Sequence, residues 1–277
     1  MTIRTLVITS CILLIYFVII IFVATDSANF DLAHFNTYAD AFSPDEENVT
    51  KEIILPQMPS LEKLDYIIQS DTLDLERPIV ALTFDDGPRR YLTDALLDEL
   101  SKRNIRVTFF VLGTNAAKNP TTLITAVTMG NQIGTHGYDH IKRFTTLGDK
   151  GMMDQIDRSL DTITDACSIT PHLLRPPYGS INKRLAEASN LPVILWNVDP
   201  YDWKSDTATV SQHIIEYAED GGIIILHDIH ETTIEATIIA IDTLMASGFQ
   251  FVTIDELFAA KNIDLIPGQI YYHAKNK

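Results

Sequence analysis

The chain has 277 residues, enough for one or two domains, and 37 acidic against 21 basic residues leave a formal charge of −16. No concentrated basic surface is available to displace phosphate counterions, which excludes nucleic-acid binding, and a 46% hydrophobic content excludes global disorder. Two cysteines, Cys11 and Cys167, are too few for a disulfide framework or a four-thiolate zinc site.

In chain order, the first element is an apolar run. Between Arg4 and Asp26 lie 21 uncharged residues, and Leu6 to Ala24 are nearly all Leu, Ile, Val or Phe. Such a run can cross a bilayer core of roughly 30 Å. It exceeds the ~7–15 residues of a signal-peptide core and lacks a clean small-residue cleavage site. Residues 1–25 are therefore expected to be an uncleaved membrane anchor, with a secreted, cleaved form as the alternative. Arg4 precedes the run and the next basic residue is Lys51, so the N-terminus is expected in the cytoplasm and the body outside it. Residues 26–76 read as an acidic stalk: positions 26–75 carry net −9, which leaves −7 for the rest of the chain.

From residue 78 short apolar runs alternate with helical spacing. The runs are Ile79–Phe84, Val107–Val111, Gln132–Thr135, Leu173–Leu174, Val193–Val198, Ile223–Leu226 and Phe251–Ile254. Helices are expected at Thr93–Lys102, Gly151–Ala166, Thr207–Glu219 and Thr232–Ala246. Strands buried on both faces and alternating with helices imply an α/β fold with a parallel sheet. Seven strands in about 185 residues fall short of the ~250 of an eight-fold barrel. A distorted, incomplete (β/α) barrel of about seven parallel strands fits this length, with a doubly wound open sheet as the alternative. Both place ligands at the carboxyl ends of the strands.

Five of those ends carry chemistry. Asp85-Asp86-Gly87-Pro88 follows the first run; adjacent carboxylates repel unless compensated, so one suits a metal and the other a water or substrate. His136-Gly137-Tyr138-Asp139-His140 follows the third, and its two imidazoles, set on one side of a helical turn, can share a cation. Arg175-Pro176-Pro177-Tyr178 offers a counter-ion for a carboxylate and a stiffened loop that fixes the Tyr178 N–H. Asp199-Pro200-Tyr201-Asp202-Trp203 sets aromatic rings beside acids, which suits a sugar face. His227, ending Ile223–Leu226, suits a general acid tuned by a neighbour such as Asp202. Taken singly, each is compatible with an ordinary turn or a core residue; collected on one rim, they describe a catalytic site.

Together these residues resemble the five ordered motifs of the polysaccharide deacetylases, the NodB-homology domains of carbohydrate esterase family 4. The motifs are Thr83-Phe84-Asp85-Asp86-Gly87-Pro88, His136-x-x-x-His140, Arg175-Pro176-Pro177-Tyr178, Asp199-x-x-Asp202-Trp203 and Ile225-x-His227. The resemblance covers about residues 77–260, which sets a catalytic domain at 77–262 and a C-terminal tail at 263–277. It implies a distorted (β/α) barrel and a divalent metal on Asp86, His136 and His140, usually zinc, with cobalt and other ions as alternatives. It further implies Asp85 as general base, oriented by Arg175, and His227 as general acid, tuned by Asp202. The Tyr178 N–H would stabilise the oxyanion, and Trp203 and Ile225 would wall an acetate-methyl pocket, with Pro177 and Tyr201 beside the substrate. Two positions depart from the family pattern: Gly137 stands where Ser or Thr usually braces the metal loop, and Ile225 where Leu is usual.

The expected function is removal of N-acetyl groups from a cell-envelope glycan, with peptidoglycan N-acetylglucosamine as leading substrate. The rivals are an O-acetyl esterase on xylan-like polymers and a catalytically silent glycan-binding module.

Overall fold

The computed structural model describes residues 73–142 and 144–275. The expected anchor and all but the last residues of the stalk lie outside them. Among the described residues no helix is long and apolar enough to cross a membrane.

The strands are β1 (Ile79–Asp85), β2 (Thr108–Val111), β3 (Gln132–Thr135), β4 (Val193–Ile194), β5 (Gly222–His227), β6 (Gln250–Phe251) and β7 (Ile270–Tyr271). The helices are α1 (Leu92–Lys102), α2 (Gly113–Lys118), α3 (Pro120–Thr128), α4 (Gly148–Cys167), α5 (Lys183–Ser189), α6 (Thr207–Tyr217), α7 (Glu231–Ala246) and α8 (Ile254–Ala260). The sheet runs β3-β2-β1-β5, with β6 on the first residues of β1, and β4 pairs with β7; every pairing is parallel.

The all-parallel barrel-like arrangement agrees with the sequence reading, with three differences. Leu173–Leu174 is not a strand but a single pairing position: Leu174 bridges Thr135 on one side and Val193 on the other. The run Val193–Val198 splits, because its start pairs beside Leu174 while Val198 bridges Ile224 at the other edge of the sheet. One segment thus touches both edges, but through isolated bridges, so the barrel stays incomplete. The third difference is at Phe251–Ile254, where the strand stops at Phe251. Thr253 accepts from the Glu256 N–H and the Glu256 carboxylate accepts from the Thr253 N–H, a capping box that starts α8 instead. Residues after 262 supply β7 and the fully buried Ala274.

Alternation along β1 builds two cores. Val80, Leu82 and Phe84 face outward into an apolar layer under α1, α3, α4, α6 and α7. The outward helices bury matching stripes, as in α1, where Leu96, Leu97 and Leu100 are buried at helical spacing. Ile79 and Ala81 face the barrel interior with Phe110, Ile194, Ile223 and the α8 residues Ile254, Leu257 and Phe258. The Ile254 N–H donates to Thr108 Oγ1 and that of Asp255 to Gln132 Oε1, so α8 closes the end where β2 and β3 begin. The inward series on β1 continues through Thr83 to Asp85, turning from apolar to polar at the opposite rim.

Candidate active site

A buried arginine sets the floor of the rim. Arg175 is fully buried, yet its donors are matched: Nε to the Ile194 carbonyl (2.9 Å), Nη1 to Thr83 Oγ1 (2.7 Å) and Asp85 Oδ1 (2.8 Å), Nη2 to the Leu195 carbonyl (3.1 Å). Its guanidinium also lies 4.1 Å from the Phe110 ring centre. Burial draws the guanidinium below its ordinary value, and Asp85 opposes that. A charge pair this deep persists because its remaining hydrogen bonds are satisfied. Asp85 Oδ2 is left facing His136 Nε2 at 3.9 Å.

Next to it, Asp86 has φ 75, which turns its carboxylate toward the histidines. Its loop is pinned at three successive carbonyls: Asp86 by Asn115 Nδ2 (2.7 Å), Gly87 by the Leu112 N–H (3.2 Å) and Pro88 by Asn119 Nδ2 (3.0 Å). On the other side Asp228, fully buried at the end of β5, presses on Gly87: a Cβ there would lie 2.2 Å from Asp228 Oδ2. Burial pushes the Asp228 carboxyl up to about 7, and Thr93 Oγ1 donates to it.

Asp86 Oδ1 is buried and has no hydrogen-bond partner. It lies 3.5 Å from His136 Nε2 and 3.3 Å from His140 Nε2. The Nδ1–H of His136 donates to the Arg175 carbonyl at 2.7 Å, which orients its Nε2 toward the carboxylate. Burial draws His140 below its ordinary value against the pull of Asp86. Two ring nitrogens and a carboxylate oxygen so placed can share one cation. The three ligand atoms fall within 4.8 Å of one another. The edge of a tetrahedron with bonds of ~2.0–2.1 Å is about 3.3–3.4 Å, close to the two Asp86–His distances. The donor set fits a divalent metal with an open position.

The histidine loop is not the helical turn that the His-x-x-x-His spacing suggests. Residues 136–140 form a bend in which Gly137 has φ 81, a conformation that favours glycine over Ser or Thr. The loop is braced from α4: Gln155 Oε1 accepts the Tyr138 and Asp139 N–H groups at 3.2 and 2.9 Å. Gln155 was not recognisable from sequence, because only the packing of α4 brings it here.

Across the rim, His227 Nδ1–H donates to Asp202 Oδ1 at 2.8 Å, and the His227 N–H and Thr233 Oγ1 donate to Asp202 Oδ2 at 2.8 Å each. Burial pulls His227 down, but the Asp202 hydrogen bond and charge, reinforced by Asp85 and Asp86, carry it up to about 9. Ile225 is buried and points inward below His227 on β5. Tyr178 has φ 58 in a 3₁₀ turn with buried Pro177, its ring 4.4 Å from that of His140. Its N–H makes no hydrogen bond among the described residues. Tyr201 and Trp203 are exposed, with Lys204 Nζ 4.2 and 4.9 Å from their ring centres. The structure therefore gathers the predicted acids, histidines and arginine at one buried centre and sets Tyr178, Tyr201 and Trp203 on its solvent side.

Residues 72–193 match the family model described as polysaccharide deacetylase. Peptidoglycan-N-acetylglucosamine deacetylase PgdA of Listeria monocytogenes is 39% identical over 183 residues, 66% of this chain and 39% of the relative. This chain thus matches about two fifths of that relative's length. A peptidoglycan-N-acetylglucosamine deacetylase of Bacillus cereus is 31% identical over 187 residues, 65% of this chain and 68% of the relative. The solved structure of T48 deacetylase with substrate superposes with a TM-score of 0.68 at 40% identity, covering 72% of this chain and 99% of that one. Ordered motifs, site geometry and likeness along the whole of that solved domain lead to one conclusion: the chain belongs to the polysaccharide deacetylase family.

Proposed function

We propose that the chain is a metal-dependent hydrolase that removes N-acetyl groups from an amino-sugar glycan, with peptidoglycan N-acetylglucosamine as substrate and zinc as the metal. The observation that carries this reading is the unpartnered Asp86 Oδ1 facing two imidazole nitrogens, with a second carboxylate and a protonated histidine on the same rim. The names of the Listeria and Bacillus relatives support the substrate.

A divalent ion held by Asp86, His136 and His140 supplies Lewis acidity and lowers the pKa of water. Arg175 holds Oδ1 of Asp85 and leaves Oδ2 to accept the proton of the attacking water. The unused Tyr178 N–H is the backbone donor for the oxyanion. His227, protonated at neutral pH, gives its Nε2 proton to the departing nitrogen, while Asp202 stabilises the imidazolium through Nδ1. An amine leaves far less readily than an alkoxide, so a protonated His227 favours amide over ester hydrolysis. Ile225 forms the apolar floor and Trp203 the outer wall around the acetyl group.

We further propose that the apolar run before Asp26 anchors the protein with its catalytic residues outside the cytoplasm, where the wall glycan lies; membrane fractionation checks this. The activity is tested by acetate release from peptidoglycan, N-acetylglucosamine oligomers and acetylated xylan, with zinc or chelator, beside Asp86→Ala. Chelator-sensitive acetate from the amino-sugar polymers, absent in the variant, is expected. Release from xylan alone would overturn the amidase reading in favour of the esterase.

A further inference from the structure

The proton and metal chemistry leaves one buried acid of the rim without a task. Asp228 directly follows His227 at the end of β5 and is fully buried. Its Oδ1 has no hydrogen-bond partner. Burying a polar oxygen without a partner costs free energy that an apolar side chain would not. Fold stability alone therefore gives no reason for an acid here. What this acid touches is the loop that begins at Asp86.

β1 and β5 run parallel with Asp85 beside His227, so the chain leaves both strands side by side, once into Asp86-Gly87-Pro88 and once into Asp228-Ile229. Asp228 joins these two exits at two points. Its carboxylate packs against Gly87 in the space that a Cβ would occupy. Its Oδ2 accepts from Thr93 Oγ1, the second residue of α1, and that hydroxyl in turn accepts the Arg89 N–H at 2.8 Å. The Thr93 N–H donates to the Arg89 carbonyl at 2.8 Å, so Thr93 holds Arg89 from both sides of its backbone. Arg89 completes the link, its Nη1 donating to the Ile229 carbonyl at 2.7 Å. The opposite side of the loop is held through its carbonyls by Leu112, Asn115 and Asn119. Those contacts tie Asp86 to the segment around α2, whereas Asp228 and its partners tie it to the strand that carries His227. Hydrolysis that draws its nucleophile from the Asp86 side and its proton from His227 depends on the spacing between them.

We propose that Asp228 is a positioning residue that fixes the Asp86 loop relative to His227, so that one side chain sets both the affinity of the cation site and its alignment with the general acid. The inference rests on the deacetylase reading for the reaction, while its effect on the cation site is read without activity. It is tested in the full chain with Asp228→Ala and Asp228→Asn. Zinc affinity is measured by calorimetry, and kcat and KM for N-acetylglucosamine hexamer are measured at saturating zinc. Asp228→Ala is expected to lose zinc affinity by about 10–100-fold. With zinc saturating, its kcat should still fall by about tenfold or more while KM stays within about twofold. Asp228→Asn keeps the shape and the acceptor for Thr93, and should recover both quantities to within about threefold. Thr93→Val, which cuts the link to Arg89 at nearly constant volume, should lower both in the same direction and carries the test if Asp228→Ala does not fold. Unchanged zinc affinity in the folded variant, or a kcat fully restored by saturating zinc, would overturn the proposal. A wild type that binds zinc but releases no acetate contradicts the activity instead, and the zinc affinities of the variants then decide the inference.

Discussion

The buried centre and the aromatic rim of this molecule are built on opposite terms. At the centre, Asp85, Arg175, Asp202 and His136 are all 2% exposed or less, and each is fixed by a partner from a different part of the chain. At the rim, Tyr178, Tyr201 and Trp203 range from 43% to 57% exposed, and both tyrosines share a left-handed backbone. The centre handles protons and charge, where a shift of an ångström is costly, so packing determines every side chain. The rim faces solvent, where exposed rings on loops can change without loss of the fold. If this contrast is right, damage should fall steeply from centre to rim.

The largest effect is expected from Arg175→Met. It removes the partner of a buried carboxylate and should cost about 3–5 kcal/mol in urea unfolding, with acetate release lost. Stability near that of the wild type would show that Asp85 does not depend on the pair. Asp202→Asn comes next, with a fall in rate of ~10²–10⁴ as the general acid loses its partner. The sign of the pH effect follows from the raised folded value of His227. Stability from the Asp202 pair is complete below the ordinary ~6.5 and is lost as pH rises through about 9. The alkaline limb of the wild-type rate profile should therefore lie at or below about 9, because a bound cation opposes protonation of His227. In Asp202→Asn that limb should move down toward the ordinary histidine value; an unmoved limb would assign it to another group.

Gly87→Ala tests the support of the metal loop. The added methyl would meet the buried Asp228 carboxylate at 2.2 Å, so the loop must shift, and metal affinity should drop by about 10–100-fold. Unchanged affinity in calorimetry would mean that Asp86 is not held from below. The smallest effect is expected at the rim: Trp203→Ala should change stability by no more than ~0.5 kcal/mol and act mainly on KM. A large loss of stability there would erase the distinction between the two regions.

Much of this arrangement was legible because it rests on local signals. The continuous apolar run of β1, the helical stripe of α4 and the residue types at five strand ends all follow from periodicity and chemistry within short windows. What was not legible depends on partners distant in sequence. Leu174, bridging Thr135 and Val193, and Val198, bridging Ile224, make isolated pairings too short for any period to mark, yet they bring the two sheet edges toward each other. Gln155, Thr233, Thr93 and Asp228 are ordinary residues on helices and a strand end until packing sets them against the histidine loop, Asp202 and Gly87. The start of α8 is a different case: Thr253 and Glu256 have capping-box spacing, but the apolar run Phe251–Ile254 masked it. The loop of His136 and His140 was misread for a physical reason too, since a spacing of four suits a helix and only the left-handed Gly137 turns it into a bend.

The proposed chemistry depends most on a cation held by Asp86, His136 and His140. Its most direct test is a titration of the metal-free full chain with zinc, followed by calorimetry, beside Asp86→Ala with its fold verified. One ion per chain is predicted for the wild type, with affinity reduced ~100-fold or more in the variant. Equal binding by both proteins, or none by the wild type, would contradict it.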